Sequence, residues 1–332
     1  MKYRKVGKSG LVVSEIALGS WLTYGNYVEK QTALKCLETA VDHGVNFIDS
    51  AEIYAKGKAE SLIGEFLKRE TVERDNLVLS SKVFWPMTED INRWGLSRKN
   101  IKKSIRGSLK RLGTDYLDIY YMHRYDYTTP IKETIQTIGD LIQDGKIHYW
   151  GTSSWTAAQI ERAVAVAKEF GVPPPIAEQP LYNMLFRHIE LEIMKNASND
   201  GIGITVFSPL AQGVLTGKYN NGVPEDSRAK LEDTMGNVLT DENLEKVKKL
   251  TTLAEELETT LPKLALAWIL RRKEVSCAIV GASSPDHVEE NIAASEMEIS
   301  EETLKRIEDI LDNEPQWPGP YAPNIFHKDD MR

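Results

Sequence analysis

Four side chains of this sequence could together hand a proton to an oxygen: Asp49, Tyr54, Lys82 and His123. Asp49 ends the apolar run Asn46-Phe47-Ile48, and Tyr54 follows it by five residues. Lys82 stands near the end of Leu77–Val83, and His123 closes Tyr116–His123. A phenol titrates near ~10, too high to donate efficiently at neutral pH. A lysine cation beside it favours the phenolate and should lower that value, and a carboxylate can hold the lysine in place. A histidine next to them can orient and polarise a carbonyl oxygen. Such a set protonates an oxyanion as it develops, but carries no hydride source. Each residue alone has a plainer explanation: a snorkelling lysine, a hydrogen-bonded core histidine, a packed tyrosine, an aspartate in a turn. Their shared position at strand ends is what argues for chemistry.

To bring those ends together, the chain must stack strands in parallel. Residues 2–14 read as a hairpin turning at Gly7-Lys8-Ser9-Gly10. Strand Ile16–Leu18 and a helix over Thr32–His43 follow, the helix with Ala33, Leu34, Leu37, Ala40 and Val41 on one face and Gly44 closing it. Strand 46–49, helix 58–69 and strand 77–83 come next. Ser97 caps a helix to about Leu112. Strand 116–123, helix 131–143, strand 147–153, a helix opened by Thr156, a short strand 176–180, helix 188–199 and strand 203–207 continue the alternation. Residues 211–237 are polar, glycine-rich and loop-rich. Helices 241–258 and 262–272, strand 277–280, helices 285–293 and 300–312 and a Pro-rich tail complete the chain. Eight strands after the hairpin, nearly all separated by helices, predict a (β/α)₈ barrel with extra C-terminal helices. A doubly wound sheet would show a Gly-rich turn after its first strand, and Gly19-Ser20-Trp21 offers none. No domain boundary interrupts residues 1–332, so a single domain is expected.

The composition is that of a globular protein, with 41% hydrophobic and 27% charged residues. A net charge of −8 gives no support to nucleic-acid binding. Cys36 and Cys277 have neither CxxC nor Cys/His spacing, so no disulfide framework or metal site is expected. Nothing reads as a leader or a membrane-inserted segment, and a cytoplasmic protein is the expectation.

Asp49, Tyr54, Lys82 and His123 match, in order, the catalytic tetrad of the aldo-keto reductases. The sequence resembles that family over essentially its whole length, and is most similar to the branch containing the voltage-gated potassium channel β subunits. Residues 19–25, Asp49–Tyr54, Gly95–Lys99, Trp150–Ser153 and Ser208–Ala211 carry the resemblance. It implies a barrel that binds NADP(H) across its carboxyl-terminal mouth and reduces small-molecule carbonyl compounds. Relatives in the branch are often tetramers or larger rings. A homo-oligomer of that kind is therefore an expectation, and the residues themselves leave the assembly open.

By the same resemblance, Ser153 and Gln179 look like the pair that holds the nicotinamide carboxamide, with Trp21 and Asp49 nearby. Phe207, Ser208, Pro209, Leu210, Ala211, Gly213, Leu215, Gly217 and Lys218 resemble the loop around the pyrophosphate. This is not a Walker A loop, because Gly213 and Gly217-Lys218 are one residue too close and Tyr219 stands where Ser or Thr is needed. Arg228 resembles the 2′-phosphate arginine, whose fork suits that anion. Gly281 and Ser283 sit at a helix start, a natural anion site. Glu290 and Asn291 match the adenine-contacting pair, with His287 in place of a glutamine. His123 stands where the channel β subunits have Asn, which favours turnover over a purely regulatory role. Ser154 stands where they have Arg. Trp21, Tyr54, Trp85, His123 and Tyr125, with Trp155 as a further candidate, suggest an aromatic-lined pocket for an apolar or aromatic carbonyl. Two other functions compete with the reductase. One is a cofactor-occupied accessory subunit reporting redox state. The other is a barrel lyase or isomerase using Lys82 as a Schiff base.

Overall fold

The computed structural model describes residues 1–21, 24–25, 28–225, 227–231 and 235–315. Strands β1 (Tyr3–Lys5) and β2 (Val12–Ser14) pair antiparallel, with Tyr3 opposite Ser14. Eight parallel strands then close on themselves: β3 (Ile16–Gly19), β4 (Phe47–Asp49), β5 (Val78–Val83), β6 (Leu117–Met122), β7 (Ile147–Ser153), β8 (Ala177–Gln179), β9 (Gly203–Val206) and β10 (Val275–Val280), which returns to pair with β3. Parallel neighbours need long crossovers, and the helices between the strands supply them.

Period-two alternation divides the core into two layers. Ala17, Phe47, Val78, Ile119, Tyr121, Ala177, Cys277 and Ile279 fill the barrel interior. Tyr120 and Met122, the neighbours of Tyr121 on β6, belong instead to the larger layer between strands and helices. The hairpin closes the amino-terminal end of the barrel: its Val6 and Val13 are fully buried in the interior cluster. The Arg4 guanidinium fixes it there, donating to the carbonyls of Leu270 (2.7 Å), Arg272 (3.0 Å) and Val275 (2.8 Å) and pairing with Glu15.

The outer helices begin where the chain offers caps. In α3 (Arg98–Leu112) the Ser97 hydroxyl accepts from the Asn100 amide. Thr156 and Gln159 form a reciprocal capping box at α5 (Ala157–Glu169). The other helices are α1 (Lys30–Asp42), α2 (Lys58–Leu67), α4 (Ile131–Gln143), α6 (Ile193–Asp200), α7 (Arg228–Leu231), α8 (Asp241–Glu256), α9 (Leu261–Leu270), α10 (Pro285–Ala293) and α11 (Glu301–Leu311).

One expectation needs correction. The helix expected over 188–199 is a 3₁₀ turn, His188–Glu190, followed by α6 from Ile193. Arg187 anchors that turn by pairing with Glu190 and Glu308, and the chain re-enters helix only after it. Within the loop-rich stretch 211–237, Ala211–Thr216 is 3₁₀ and α7 spans Arg228–Leu231. Leu22, Thr23, Asp226 and the Pro-rich tail beyond Glu314-Pro315 lie outside the described residues. Among the described residues no helix is long and apolar enough to cross a membrane.

Candidate active site

The register across β4, β5 and β6 explains why the four residues meet. Asp49 ends β4 opposite Ser80, Lys82 sits opposite Tyr121 on β6, and His123 follows the end of that strand. All three therefore reach the carboxyl-terminal mouth of the barrel. Lys82 is buried, and its ammonium donates to Asp49 Oδ2 (2.5 Å), Ser50 O (2.8 Å) and Tyr54 Oη (3.1 Å). Asp49 is held in turn by the Ser80 hydroxyl (2.6 Å) and the Gln179 amide (3.0 Å), both on Oδ1. Every donor of the lysine is thus used, so its charge is fixed in position beneath the phenol.

Tyr54 reaches that point through a strained turn. Ala55 and Lys56 adopt left-handed φ values of 48° and 51°, each costing about 1–2 kcal/mol for a non-glycine residue. Gly57 follows at φ 87°, where a Cβ would also meet Arg111 Cδ at 2.7 Å. The loop is pinned from behind. Glu52, two residues before Tyr54, accepts from the Ser104 hydroxyl (2.8 Å) and faces Arg93 at 3.5 Å, and Glu60 on α2 accepts from Ser81 and Arg111 at 2.6 Å each. His123 packs edge-on to Tyr54 (ring centroids 6.0 Å) and to Trp85 (6.4 Å).

Burial dominates the protonation of the set. It raises the Tyr54 phenol, outweighing the opposing pull of the Lys82 cation. This corrects the expectation of a lowered phenol. The Lys82 ammonium is also raised, because the Asp49 and Tyr54 partners together outweigh burial. His123 falls well below its ordinary range through burial and the Lys82 and Arg124 charges. At neutral pH the site is therefore a phenol, an ammonium and a neutral imidazole with no hydrogen bond to its ring among the described residues. A phenol held above its usual value keeps its proton until an oxyanion draws it off. The fixed ammonium then stabilises the phenolate left behind.

Beside the tetrad runs a cavity of about 730 Å³ lined by Trp21, Asp49 and Tyr54 at one end and by α8, α9 and α10 at the other. That volume is in the range of small-molecule and cofactor sites, about 300–1,000 Å³. Along its side the chain after β9 turns repeatedly through left-handed conformations: Ser208 (φ 50°), Ala211 (48°), Gln212 (57°) and Gly213 (96°). The Ala211 and Gly213 amides close these turns on Ser208 O (3.0 Å) and Leu210 O (2.8 Å), which folds the stretch tightly against the cavity. At β3, a Cβ on Gly19 would meet Ile279 Cγ2 at 2.8 Å, so the close approach of β3 and β10 beneath the cavity requires glycine.

The Aldo/keto reductase family matches residues 15–312. The chain belongs to the aldo/keto reductase family. It is 42% identical over 328 residues to a protein of Arabidopsis thaliana named "Probable voltage-gated potassium channel subunit beta", covering 97% of this chain and 100% of the relative. A protein of Oryza sativa subsp. japonica with the same name is 42% identical over 323 residues, 95% of this chain and 98% of the relative.

Within this aldo/keto reductase, the site residues expected from sequence fall into four groups. Trp21, Phe207, Ser208, Pro209, Leu210, Gly213, Lys218, Gly281, Ser283, His287, Glu290 and Asn291 line the cavity with Asp49 and Tyr54. Ser153 and Gln179 are buried at the ends of β7 and β8, where the Ser153 hydroxyl donates to Gln179 O (2.9 Å). Ala211 and Leu215 are buried, and Gly217 lies where the 3₁₀ stretch ends. Arg228 opens α7, and its side chain lies outside the described part.

The aromatic residues separate as well. Trp85 is exposed and faces His123, and Tyr125 packs edge-on against Trp155 (4.8 Å). Trp155 itself is buried, so it is core and not pocket wall. Sequence reasoning missed the wall made by Thr251, Glu255, Thr260 and Pro262. The helix-start signal of Thr260 and Pro262 was visible, yet nothing in it pointed to a cavity. Glu52 and Arg93 were also missed, although an acid two residues before the tyrosine in an apolar stretch was a usable signal.

Proposed function

We propose that this protein reduces aldehydes or ketones to alcohols with NADPH, with Tyr54 as the general acid, and that residues 1–332 form a single barrel domain. The observation that carries this reading is the Lys82 ammonium fixed by Asp49 and Ser50 at 3.1 Å from the Tyr54 hydroxyl, beside a cavity of about 730 Å³. The dinucleotide, when bound, supplies the hydride. The donors present suit it: the Lys218 ammonium and the Ser283 hydroxyl for phosphates, and the buried Asn291 amide in the cavity wall. Gln212 Oε1 is buried there without a hydrogen-bond partner, a further polar group suited to a ligand.

The protein's own steps are those of positioning and proton transfer. His123, neutral and free at its ring, donates to the carbonyl oxygen and orients it toward Tyr54. Tyr54 gives its proton to the oxygen as negative charge gathers there, and Lys82 stabilises the phenolate. Asp49 keeps Lys82 charged and in place. A cytoplasmic homo-oligomer, a tetramer or larger, accompanies this reading. A second reading, a cofactor-bound redox-sensing accessory of a channel, is favoured by the names of the relatives. His123 at the mouth supports turnover over that role alone.

Fluorescence titration of the purified protein with NADPH and, separately, NADH tests the proposal. Tight, NADPH-selective binding followed by loss of nicotinamide absorbance on adding carbonyl compounds supports it. No binding of either, with carried-over cofactor removed first, would overturn it.

A further inference from the structure

Arg124 follows His123 at the mouth and takes no part in the proton transfer described above. Its side chain is half-buried. The guanidinium carbon lies 5.7 Å from the Trp85 ring centroid, and one amino group donates to His123 O at 2.5 Å. Its charge acts on Tyr54 and on Glu178. Among the described residues no carboxylate comes within ion-pairing distance of it. Other buried or half-buried arginines behave differently: Arg74 pairs with Asp118, Arg93 with Glu52, Arg111 with Glu60 and Arg187 with Glu190. A cation withdrawn from water without a counter-charge is costly, and burial lowers the Arg124 pKa accordingly.

Glu178 does not make up the deficit. One of its oxygens accepts from the Trp155 amide (3.2 Å) and the other from the Thr152 hydroxyl. Burial raises its pKa to about 7, so near neutral pH it is only partly ionised.

We infer that Arg124 is an anion-recognition residue of the substrate pocket, selecting carbonyl compounds that carry a carboxylate on an aromatic or apolar body; this rests on the reductase reading of the site. The guanidinium has spent one donor on a backbone carbonyl, and its remaining N–H groups form the fork that a carboxylate binds bidentately. The flat wall beside it, the Trp85 indole, is apolar. Trp85 is 37% exposed and Trp21 38% exposed, and Trp21 sits 6.5 Å from the Tyr54 ring. Arg124 adjoins His123 in the chain and its charge reaches Tyr54, so a carboxylate it takes sits on the same side of the mouth as the reacting carbonyl, and the positional isomers of an aromatic acid measure the spacing. A single fork suits one carboxylate, which distinguishes such substrates from neutral aldehydes of the same shape.

The test compares 2-, 3- and 4-carboxybenzaldehyde with their methyl esters, using NADPH-loaded wild type, Arg124→Gln and Arg124→Lys. For the isomer that fits, wild type should prefer acid over ester in kcat/KM, and Arg124→Gln should cut that ratio at least about tenfold, the scale of charge-assisted hydrogen bonding. Arg124→Lys, keeping charge but losing the fork, should recover part of it. Taking the ratio removes any loss common to both substrates, such as a change in Tyr54 acidity. No acid preference for any isomer, or a preference that survives in Arg124→Gln, overturns the inference. If wild type reduces none of these compounds, the reductase reading is what fails for them. Quenching of tryptophan fluorescence by the same acids and esters then decides Arg124 without turnover. Tighter acid binding lost in Arg124→Gln upholds its role, and equal binding of acid and ester overturns it.

Discussion

Replacing Lys82 by Met separates what this residue does for folding from what it does for chemistry. The ammonium stands 3.1 Å from the Tyr54 hydroxyl. Two unit charges that close interact by about 5 kcal/mol at an effective dielectric constant of about 20. With about half the phenolate charge developed at the transition state, the loss is about 2–3 kcal/mol, or about 10²-fold in kcat. KM for the carbonyl compound should change far less, because the phenol is neutral before reaction. Stability suffers separately. Asp49 would be left buried without its counter-ion, at a cost of about 3–5 kcal/mol. The double variant Lys82→Met/Asp49→Asn removes both charges and should regain most of that stability while remaining as slow as the single variant. Urea unfolding monitors the first quantity, and steady-state nicotinamide absorbance the second. A single variant within tenfold of wild-type kcat, or a double variant that recovers activity along with stability, would refute the role given to the ammonium.

Other outcomes follow from single side chains. Arg228→Ala should weaken NADPH by about 10- to 100-fold, the scale of charged hydrogen bonds to a phosphate, and NADH much less in parallel titrations. Equal losses for both would remove Arg228 from the 2′-phosphate site. Glu178 is raised by burial from 4.5 to about 7, so between those values the folded protein binds more protons than the unfolded chain. Stability then falls as pH rises from about 4.5 to about 7 and levels off above, with Glu178 contributing up to about 3 kcal/mol of the decline. Glu52, also raised to about 7, adds in the same direction. Glu178→Gln should therefore raise Tm at pH 8 relative to pH 5 compared with wild type, and an unchanged pH dependence would count against the buried carboxyl as a source of the fall.

The barrel was legible because most of its strands are short apolar runs that alternate with amphipathic helices. Ser97 and Thr156 announce their helices in sequence and cap them in the structure. The tetrad was legible because strand ends converge in a parallel barrel, so Asp49, Lys82 and His123 had to share a mouth once the strands were placed. What sequence concealed was the balance of forces on Tyr54. The lysine was visible, but the depth of burial that outweighs it depends on packing that only the closed barrel creates. The break at 188–192 was hidden for a similar reason, since Glu308 on α11, which grips Arg187, is 121 residues away. The far wall of the cavity comes from α8 and α9, whose residues carry helical signals and no chemical ones. Arg124 and Glu52 escaped notice because their meaning lies in which partners they have or lack, and pairing is a property of the folded chain.

The central claim is that Tyr54 donates the proton during reduction. Single-turnover mixing of NADPH-loaded protein with a reducible aldehyde, followed by nicotinamide absorbance, tests it most directly when wild type and Tyr54→Phe are compared at equal cofactor occupancy. The account predicts a rapid decay in wild type and none on the same timescale in Tyr54→Phe, with NADPH affinity nearly intact. A Tyr54→Phe protein that binds NADPH and oxidises it at the wild-type rate would contradict it.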